Sequence, residues 1–251
     1  MNNEKIKISI IIPCYNEERR IPKTLDKISF YIQKKEEETD KYLFQIIVID
    51  NNSTDGTINK LKEKQANFND YLIIIANEYK GKGWAIKKGV LNSDGDIILF
   101  TDADLSTPIE ELDKALVEIE KNGADIVIAS RQHKESQILK RQNYMRETMG
   151  KIFNKIMNLI LNTGFKDTQC GFKVFKKDVA LKLFNLSQIK GFAFDAEIIF
   201  LAEKIGYKIV EIPVVWINSK SSKVKMFSDS LNMIIDTLKV RINYQKGIYK
   251  L

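Results

Sequence analysis

The chain is poor in the side chains from which many catalytic sites are built. Its 251 residues hold one histidine, two cysteines, two tryptophans and four prolines. A single histidine, His133, confines a Ser-His-Asp triad to one place and excludes a histidine-rich metal centre. Cys14 and Cys170 are too few for a four-thiolate zinc site, and one histidine cannot complete a mixed one. Two thiols alone read as reduced cysteines of a cytosolic protein, not as a disulfide framework. No stretch approaches the roughly 20 apolar residues that span a bilayer. The charged start, Met1 to Lys7, runs straight into a strand-like segment, which argues against a secretory signal. With 44% hydrophobic residues and little proline, the composition is that of a core-forming chain.

The length suits one α/β domain over residues 1–251, with appended helices. The formal net charge is +7, unevenly spread. Arg131 to Lys177 carries eleven basic residues against three acidic, and Lys220 to Leu251 seven against two, so the remainder nets −6. A basic second half favours anionic partners on one face.

Five short, β-branched-rich runs punctuate the first half: Ile8–Ile12, Phe44–Ile49, Leu72–Ile75, Ile97–Phe100 and Ile126–Ala129. Such near-continuous apolar runs fit strands buried on both faces. Helical stretches are predicted between them at Glu17–Glu38 (Asn16 as cap), Gly56–Ala66 (Asp55 as cap), Gly83–Asn92 and Pro108–Asn122. This alternation predicts a doubly wound, mainly parallel sheet with flanking helices, in which ligands bind beyond the carboxyl ends of the strands. In the second half, the pattern predicts a basic helix over Ser136–Leu161, with Met145, Met149, Ile152, Phe153, Ile156 and Ile160 on one face. A strand at Val174–Phe175, helices from Lys177 and over Gly191–Lys204, a strand over Lys208–Trp216 and an amphipathic C-terminal helix over Val224–Tyr244 follow.

Polar residues gather just after the strands. Pro13-Cys-Tyr-Asn-Glu17 follows the first, Asp50-Asn-Asn-Ser-Thr-Asp55 the second, Gly81-Lys-Gly83 comes after the third, and Asp102-Ala-Asp104 follows the fourth. Two carboxylates at i and i+2 past a buried strand can hold a divalent cation through one side chain and a sugar or water through the other. Hard oxygen donors suit Mg²⁺ or Mn²⁺ seated on a substrate diphosphate. Taken singly, each segment is also an ordinary turn or helix cap. Gly81-Lys-Gly83 lacks both the third glycine of a dinucleotide fingerprint and the ending of a P-loop.

Together, and in this order, these segments resemble glycosyltransferase family 2, the inverting nucleotide-sugar transferases of GT-A fold. Asp102-Ala-Asp-Leu-Ser-Thr-Pro108, Ala129-Ser-Arg131, Asp167-Thr-Gln-Cys-Gly-Phe-Lys173, Phe192-Ala-Phe-Asp-Ala-Glu197, Val214-Val-Trp216 and Ser222-Lys223 resemble its polyprenyl-phosphate branch. The dolichyl-phosphate β-glucosyltransferases are the most similar. The resemblance spans about residues 6 to 243. It implies a nucleotide-sugar half over about 1–130 and an acceptor- and membrane-facing half over about 131–251. Pro13, Tyr15, Glu17, Val48, Asp50, Asp102, Ala103 and Lys223 would bind the nucleotide sugar, and Asp102 and Asp104 the metal. Arg131 and Arg146 would clamp the acceptor phosphate, and Asp195 would act as base or orient the acceptor. Ser106 stands where mannosyl relatives carry a metal-binding glutamine, which leaves its part in the metal site open.

The implied reaction is metal-dependent inverting transfer of a hexose, with UDP-glucose as the best-matched donor, to a polyprenyl or dolichyl phosphate. The expected location is the cytoplasm, peripheral on the cytoplasmic face of a membrane. Recruitment would come through apolar faces with basic flanks or a membrane partner subunit, and a homo-oligomer is the other assembly expected. Addition of single sugars to a polysaccharide or glycolipid hydroxyl is the alternative. A nucleic-acid-binding module, suggested by the net charge, ranks well behind, because the Asp102-Ala-Asp104 acids would repel a phosphate backbone.

Overall fold

The computed structural model describes residues 5–68, 71–77, 79–140, 144–219 and 228–251, with side chains at all of these but 144–147, 149, 151–153 and 228. The chain alternates β1 (Ile6–Cys14), α1 (Ile21–Glu38), β2 (Tyr42–Asp50), α2 (Thr57–Gln65), β3 (Leu72–Ala76), α3 (Lys82–Leu91) and β4 (Ile97–Thr101). A 3₁₀ turn (Ile109–Glu111), α4 (Leu112–Glu120), β5 (Ile126–Ser130), β6 (Gln137–Lys140), α5 (Tyr144–Leu161) and β7 (Phe172–Lys176) follow. The described chain ends with α6 (Lys177–Leu186), α7 (Phe194–Ile205), β8 (Ile209–Pro213), β9 (Val215–Ile217) and α8 (Ser228–Gln245).

Seven strands form one sheet in the order β3-β2-β1-β4-β7-β5-β8. All its pairings are parallel except those of β7, which runs antiparallel to both β4 and β5. The chain winds outward from β1 to β3, then returns past β1 to β4. The reversal opens a crevice between the carboxyl ends of β1 and β4, the usual ligand position in such sheets. Because β7 is reversed, its amino end lies at that same edge, with Phe172 opposite Thr101. The loop before β7 is thereby delivered to the crevice.

Side-chain alternation explains the near-continuous apolar strands. Ile8, Ile10 and Ile12 of β1 pack into one core cluster with Leu25, Leu61 and Leu112, while Ile11 packs into another with Ile86, Phe175 and Phe194. A strand covered on both faces needs apolar side chains at every position. One polar exception is internally paired. Ser9, fully buried, donates to Gln45 Oε1 at 3.0 Å and accepts the Gly95 N–H at 3.1 Å.

Three expected boundaries are corrected. α1 starts at Ile21 rather than Glu17, and Asn16 does not cap it but takes a left-handed bend (φ 56°) tied to the next loop. The helix expected over Ser136–Leu161 is a short strand followed by α5, because Gln137–Lys140 pairs with β9 in a separate two-stranded sheet. Along the described part of α5, Asn154, Met157 and Leu161 are buried and Ile160 of the expected stripe packs against the core, whereas Ile156 is 37% exposed and does not belong to it. The side chains of Met145, Met149, Ile152 and Phe153 lie outside the described residues. The strand expected over Lys208–Trp216 is split: β8 ends at Pro213, and β9 leaves to pair with β6. Val224 to Phe227, at the start of the expected C-terminal helix, lie outside the described residues.

Ser9→Ala strands the buried Gly95 N–H and removes the donor to Gln45. We expect a loss of about 1–3 kcal/mol, measured by urea denaturation, with ligand binding unchanged.

Candidate active site

The first two loops at the crevice are stitched together by the bend at Asn16. Its N–H donates to Ser53 Oγ at 2.9 Å, its Oδ1 accepts the Thr54 N–H at 2.8 Å, and the Glu17 N–H donates to Thr57 Oγ1 at 2.7 Å. Glu17 is buried and forms a two-point pair with Arg20, Nε to Oε2 at 2.5 Å and Nη2 to Oε1 at 2.6 Å. Such a fork fixes both side chains. It aims Arg20 Nη1 at Ser219 Oγ (2.9 Å) and to within 4.0 Å of Asp104 Oδ2. Pro13 lies opposite Ile49 in the β1–β2 ladder, and Tyr15 is 39% exposed at the mouth. Cys14 is buried, and burial with the nearby Glu17 and Asp50 charges pushes its thiol well above the ordinary range, so it is no nucleophile.

Asp50 ends β2. Its Oδ2 accepts the Ser53 N–H at 3.2 Å, while Oδ1 is buried without a partner among the described residues, as is Asn77 Oδ1. The two residues are neighbours through the Asn77 N–H to Asp50 carbonyl bond of 2.8 Å. Val48 is fully buried in the core beneath this edge and supports it by packing.

Asp102 follows β4 and touches the loop before β7. Its N–H donates to the Gly171 carbonyl at 3.1 Å, and a Cβ at Gly171 would lie 2.0 Å from Asp102 Oδ2, so only glycine leaves space for the carboxylate. Lys82, at the start of α3, reaches Asp102 Oδ1 at 2.6 Å. Burial alone would lower its ammonium, but Asp102 and Asp195 together raise it, so it stays charged. Ala103 is buried, and its carbonyl accepts Thr24 Oγ1 at 2.6 Å. Asp104 Oδ1 accepts the Ser106 N–H at 3.0 Å.

Below Asp102 lies Asp195 at the first turn of α7, 2% exposed. Its Oδ1 accepts Lys173 Nζ at 2.5 Å, and Lys173, with no exposed surface, also donates to the Cys170 carbonyl at 2.7 Å. Burial pushes the Asp195 carboxyl above its ordinary range, and Lys173 and Lys82 oppose that shift.

Arg131 follows β5. Its Nε and Nη2 each meet the fully buried Asp167 carboxylate at 2.7 Å, its own N–H donates to the same group at 2.9 Å, and its guanidinium lies over Trp216 at 5.7 Å. Asp167 fixes one edge of the fork, and Nη1 lies outside that pair. Burial would raise the Asp167 carboxyl, but Arg131 holds it below the ordinary range. Arg146 falls within α5 with its side chain outside the description, and Lys223 lies outside the described residues.

The structure therefore brings Pro13, Tyr15, Glu17, Asp50, Asp102, Ala103 and Asp104 to one sheet edge, with Asp195 beneath and Arg131 beyond β7. Arg20 stands in none of the quoted motifs, and Lys82, Asp167 and Lys173 stand in them without an assigned role, yet these are the cations and counter-ion that fix the expected groups. Lys173 carried a signal: a charge amid Phe172, Val174 and Phe175, on a strand buried on both faces, must be paired.

The donor set also suits a divalent ion. Among the described residues no group of three or more His, Cys, Asp or Glu could enclose a metal. Two carboxylates in an open crevice fit Mg²⁺ or Mn²⁺ that draws its remaining ligands from phosphate oxygens and water.

The family model for glycosyl transferase family 2 matches residues 9–184. The chain belongs to this family. It is a glycosyltransferase. Relatives named dolichyl-phosphate beta-glucosyltransferase include one from Dictyostelium discoideum, 34% identical over 99% of this chain and 78% of its own. Those from Homo sapiens and Saccharomyces cerevisiae are each 32% identical, over 98% and 99% of this chain and 78% of theirs. Among solved structures, glucosyl-3-phosphoglycerate synthase from Mycobacterium tuberculosis, in complex with Mn²⁺, UDP and glucosyl-3-phosphoglycerate, superposes with a TM-score of 0.69. At 19% identity, over 94% of this chain and 80% of that one, this likeness shows the shared GT-A fold.

Asp167→Asn leaves the Arg131 guanidinium without its counter-ion. We expect a loss of about 3–5 kcal/mol at neutral pH. The Asp167 carboxyl is held low in the folded state, so its stabilisation is present above the unfolded carboxylate range, near pH 4, and is lost as pH falls through the folded value. The gap between wild type and variant, followed by denaturation across pH, should close toward acid.

Proposed function

We propose that the chain transfers a glucosyl residue from UDP-glucose to a dolichyl or polyprenyl phosphate with inversion, aided by Mg²⁺ or Mn²⁺. The observation that carries this reading is the Asp102–Asp104 pair at the sheet edge, backed by Lys82 and Arg20 and facing Arg131 across β7. The names of the relatives support the acceptor and the sugar. The UDP in the M. tuberculosis complex supports the nucleotide.

In this reading, Tyr15 borders the nucleotide, and the buried acceptors Asp50 Oδ1 and Asn77 Oδ1 suit N–H donors of a nucleobase. Asp102 and Asp104 would hold the metal, which would supply charge neutralisation to the diphosphate leaving group. Lys82 and Arg20 add fixed positive charge beside it, and Lys223 is assigned to the same diphosphate. Arg131 and Arg146 hold the acceptor phosphate in line with the anomeric carbon. A phosphate oxygen bonds to that carbon as its bond to the diphosphate oxygen breaks, so an α-linked donor gives a β-linked sugar phosphate. A phosphate monoester, with a second pKa of about 6, is already largely anionic at neutral pH. Asp195 then has acceptor-orienting rather than strongly basic work, as its pairing with Lys173 supports. The catalytic unit is read as 1–251, donor-binding to about residue 130 and acceptor-binding beyond.

A lipid acceptor calls for contact with a membrane, and no described helix is long and apolar enough to cross one. Helix α8 offers another means. Met233, Thr237 and Val240 face the core, while Leu231, Ile235, Leu238 and Ile242, spaced as i, i+4, i+7 and i+11, are 43–60% exposed on the opposite side. By helical periodicity Lys239 and Arg241 border this strip on its two sides, and Asp229 and Asp236 fall away from it. An apolar strip edged by cations suits the interface of an anionic bilayer on a cytoplasmic membrane face.

A panel of nucleotide sugars with Mg²⁺ or Mn²⁺ and a polyprenyl phosphate tests the reaction. Transfer should be best with UDP-glucose and fall about a hundredfold or more in Asp104→Ala. Transfer to a sugar hydroxyl but not to the lipid phosphate would establish the alternative acceptor. No transfer and no nucleotide binding would overturn the reading. Co-sedimentation with anionic vesicles should drop about tenfold or more in Ile235→Glu/Leu238→Glu with the melting temperature unchanged.

A further inference from the structure

Glu197 is a carboxylate with no exposed surface that the proposed chemistry leaves unused. It closes the loop between α6 and α7: Oε1 accepts the Gln188 N–H and Oε2 the Ile189 N–H, each at 2.9 Å. Its remaining partner comes from the far end of the chain. The Tyr249 hydroxyl donates to Oε1 at 2.7 Å, and Tyr249 is only 2% exposed. The segment after α8 is folded back for this contact, with Gly247 at φ 67° and the Ile248 N–H bonded to the Asn243 carbonyl.

The loop pinned by Glu197 lies flat against the start of α3. The Lys190 carbonyl accepts the Trp84 N–H at 3.2 Å. A Cβ at Gly81 would lie 2.3 Å from that carbonyl oxygen, and one at Gly83 would lie 2.7 Å from the Ile189 carbonyl oxygen. Contact this close means that the 187–191 backbone sets where α3 begins. Lys87 of α3 reinforces it by donating to the Ser187 carbonyl at 2.9 Å. The residue placed by this arrangement is Lys82, which holds Asp102. A path of direct contacts therefore runs from Tyr249 through Glu197 and the 188–190 backbone to the Lys82–Asp102 pair. Helix α8 itself also meets this loop, since Asp236 Oδ2 lies 3.3 Å from a Cβ position at Gly191.

We infer that Tyr249 and Glu197 are positioning residues of the donor site, through which the α8 segment holds the 187–191 loop and thereby Lys82 in place for the nucleotide diphosphate. The inference rests on the donor reading given above for Lys82 and Asp102. It makes the seating of the C-terminal segment a condition of tight donor binding.

Tyr249→Phe removes one hydroxyl and keeps the ring, so the fold is retained. Two measurements on the full chain test it: UDP affinity by titration calorimetry with Mn²⁺, and amide hydrogen exchange without ligand. We expect UDP to bind about fivefold more weakly, the scale of one hydrogen bond to a charged group lost at a distance, and exchange to quicken at 187–191 and at 81–85. Ile119→Val, in the core cluster on the other face of the sheet, controls for general destabilisation and should leave UDP affinity unchanged. Exchange altered only within 246–251, or equal UDP affinity in variant and wild type, would overturn the inference. Wild type that fails to bind UDP would instead refute the donor reading, and the exchange pattern alone would then decide whether Tyr249 positions the α3 start.

Discussion

A lysine with no exposed surface, in the middle of a seven-stranded sheet, is the constraint on which the site depends. Removing a charge from water costs several kcal/mol, recovered only when a counter-ion and further hydrogen bonds meet it with good geometry. Lys173 has Asp195 and the Cys170 carbonyl, and the Phe100 ring lies 5.1 Å from its ammonium. Meeting that demand places the first turn of α7 against β7 and curls the preceding loop so that Cys170 points inward. Gly171 then falls beside Asp102, where its missing side chain makes room for the carboxylate. One buried charge thus ties the sheet, the α7 terminus and Asp102 into a single arrangement. The antiparallel run of β7 is what delivers this loop to the ligand edge.

Four of the expected acids of the site, Glu17, Asp102, Asp104 and Asp195, have a cation beside them, and Asp167 supplies a fifth such pair; Asp50 instead accepts a backbone N–H. Glu17 holds Arg20, which approaches Asp104; Lys82 meets Asp102; Lys173 meets Asp195; Asp167 holds Arg131. Without these partners, the carboxylates at the crevice would repel a nucleotide diphosphate by roughly 1–4 kcal/mol per close charge pair. With them, the site presents fixed positive charge to an incoming anion while its acids remain available to a divalent ion. Rigidity matters as much as sign. Most of these pairs involve buried or largely buried groups, so little reorganisation is left to do when substrate arrives.

Much of this was legible in the sequence. Strands buried on both faces are written as β-branched runs, and the polar residues that follow them mark the ligand edge, which is why Asp50, Asp102 and Asp104 could be placed before any coordinates. What failed was decided by tertiary pairing. Gln137–Lys140 joins a helix-like stretch and is a strand only because β9 lies beside it. Asn16 looks like a cap, yet its left-handed bend serves the neighbouring loop. Lys82 sits in the Gly81-Lys-Gly83 segment, but its partner Asp102 follows another strand, so its pairing could not be read from the local sequence. Val48 shows a different limit: on a strand covered on both faces, nearness to the edge does not free a side chain from the core.

The state of Asp195 bears on the choice of acceptor. A hydroxyl nucleophile must lose its proton as it attacks, so an enzyme acting on one needs a free carboxylate or imidazole within reach. The single histidine of this chain lies in the turn after β5, where its Nδ1 accepts the Glu135 N–H at 3.2 Å. Asp195 is buried, and one of its oxygens is committed to Lys173. Burial raises this carboxyl and so favours proton uptake, but Lys173 opposes that shift and holds one oxygen in place. A phosphate monoester asks for the opposite provision, needing little base but a rigid cation to align it. Arg131, gripped along one edge by a fully buried carboxylate and backed by Trp216, is that kind of cation. The allocation of charge in this crevice therefore favours an anionic acceptor over a hydroxyl.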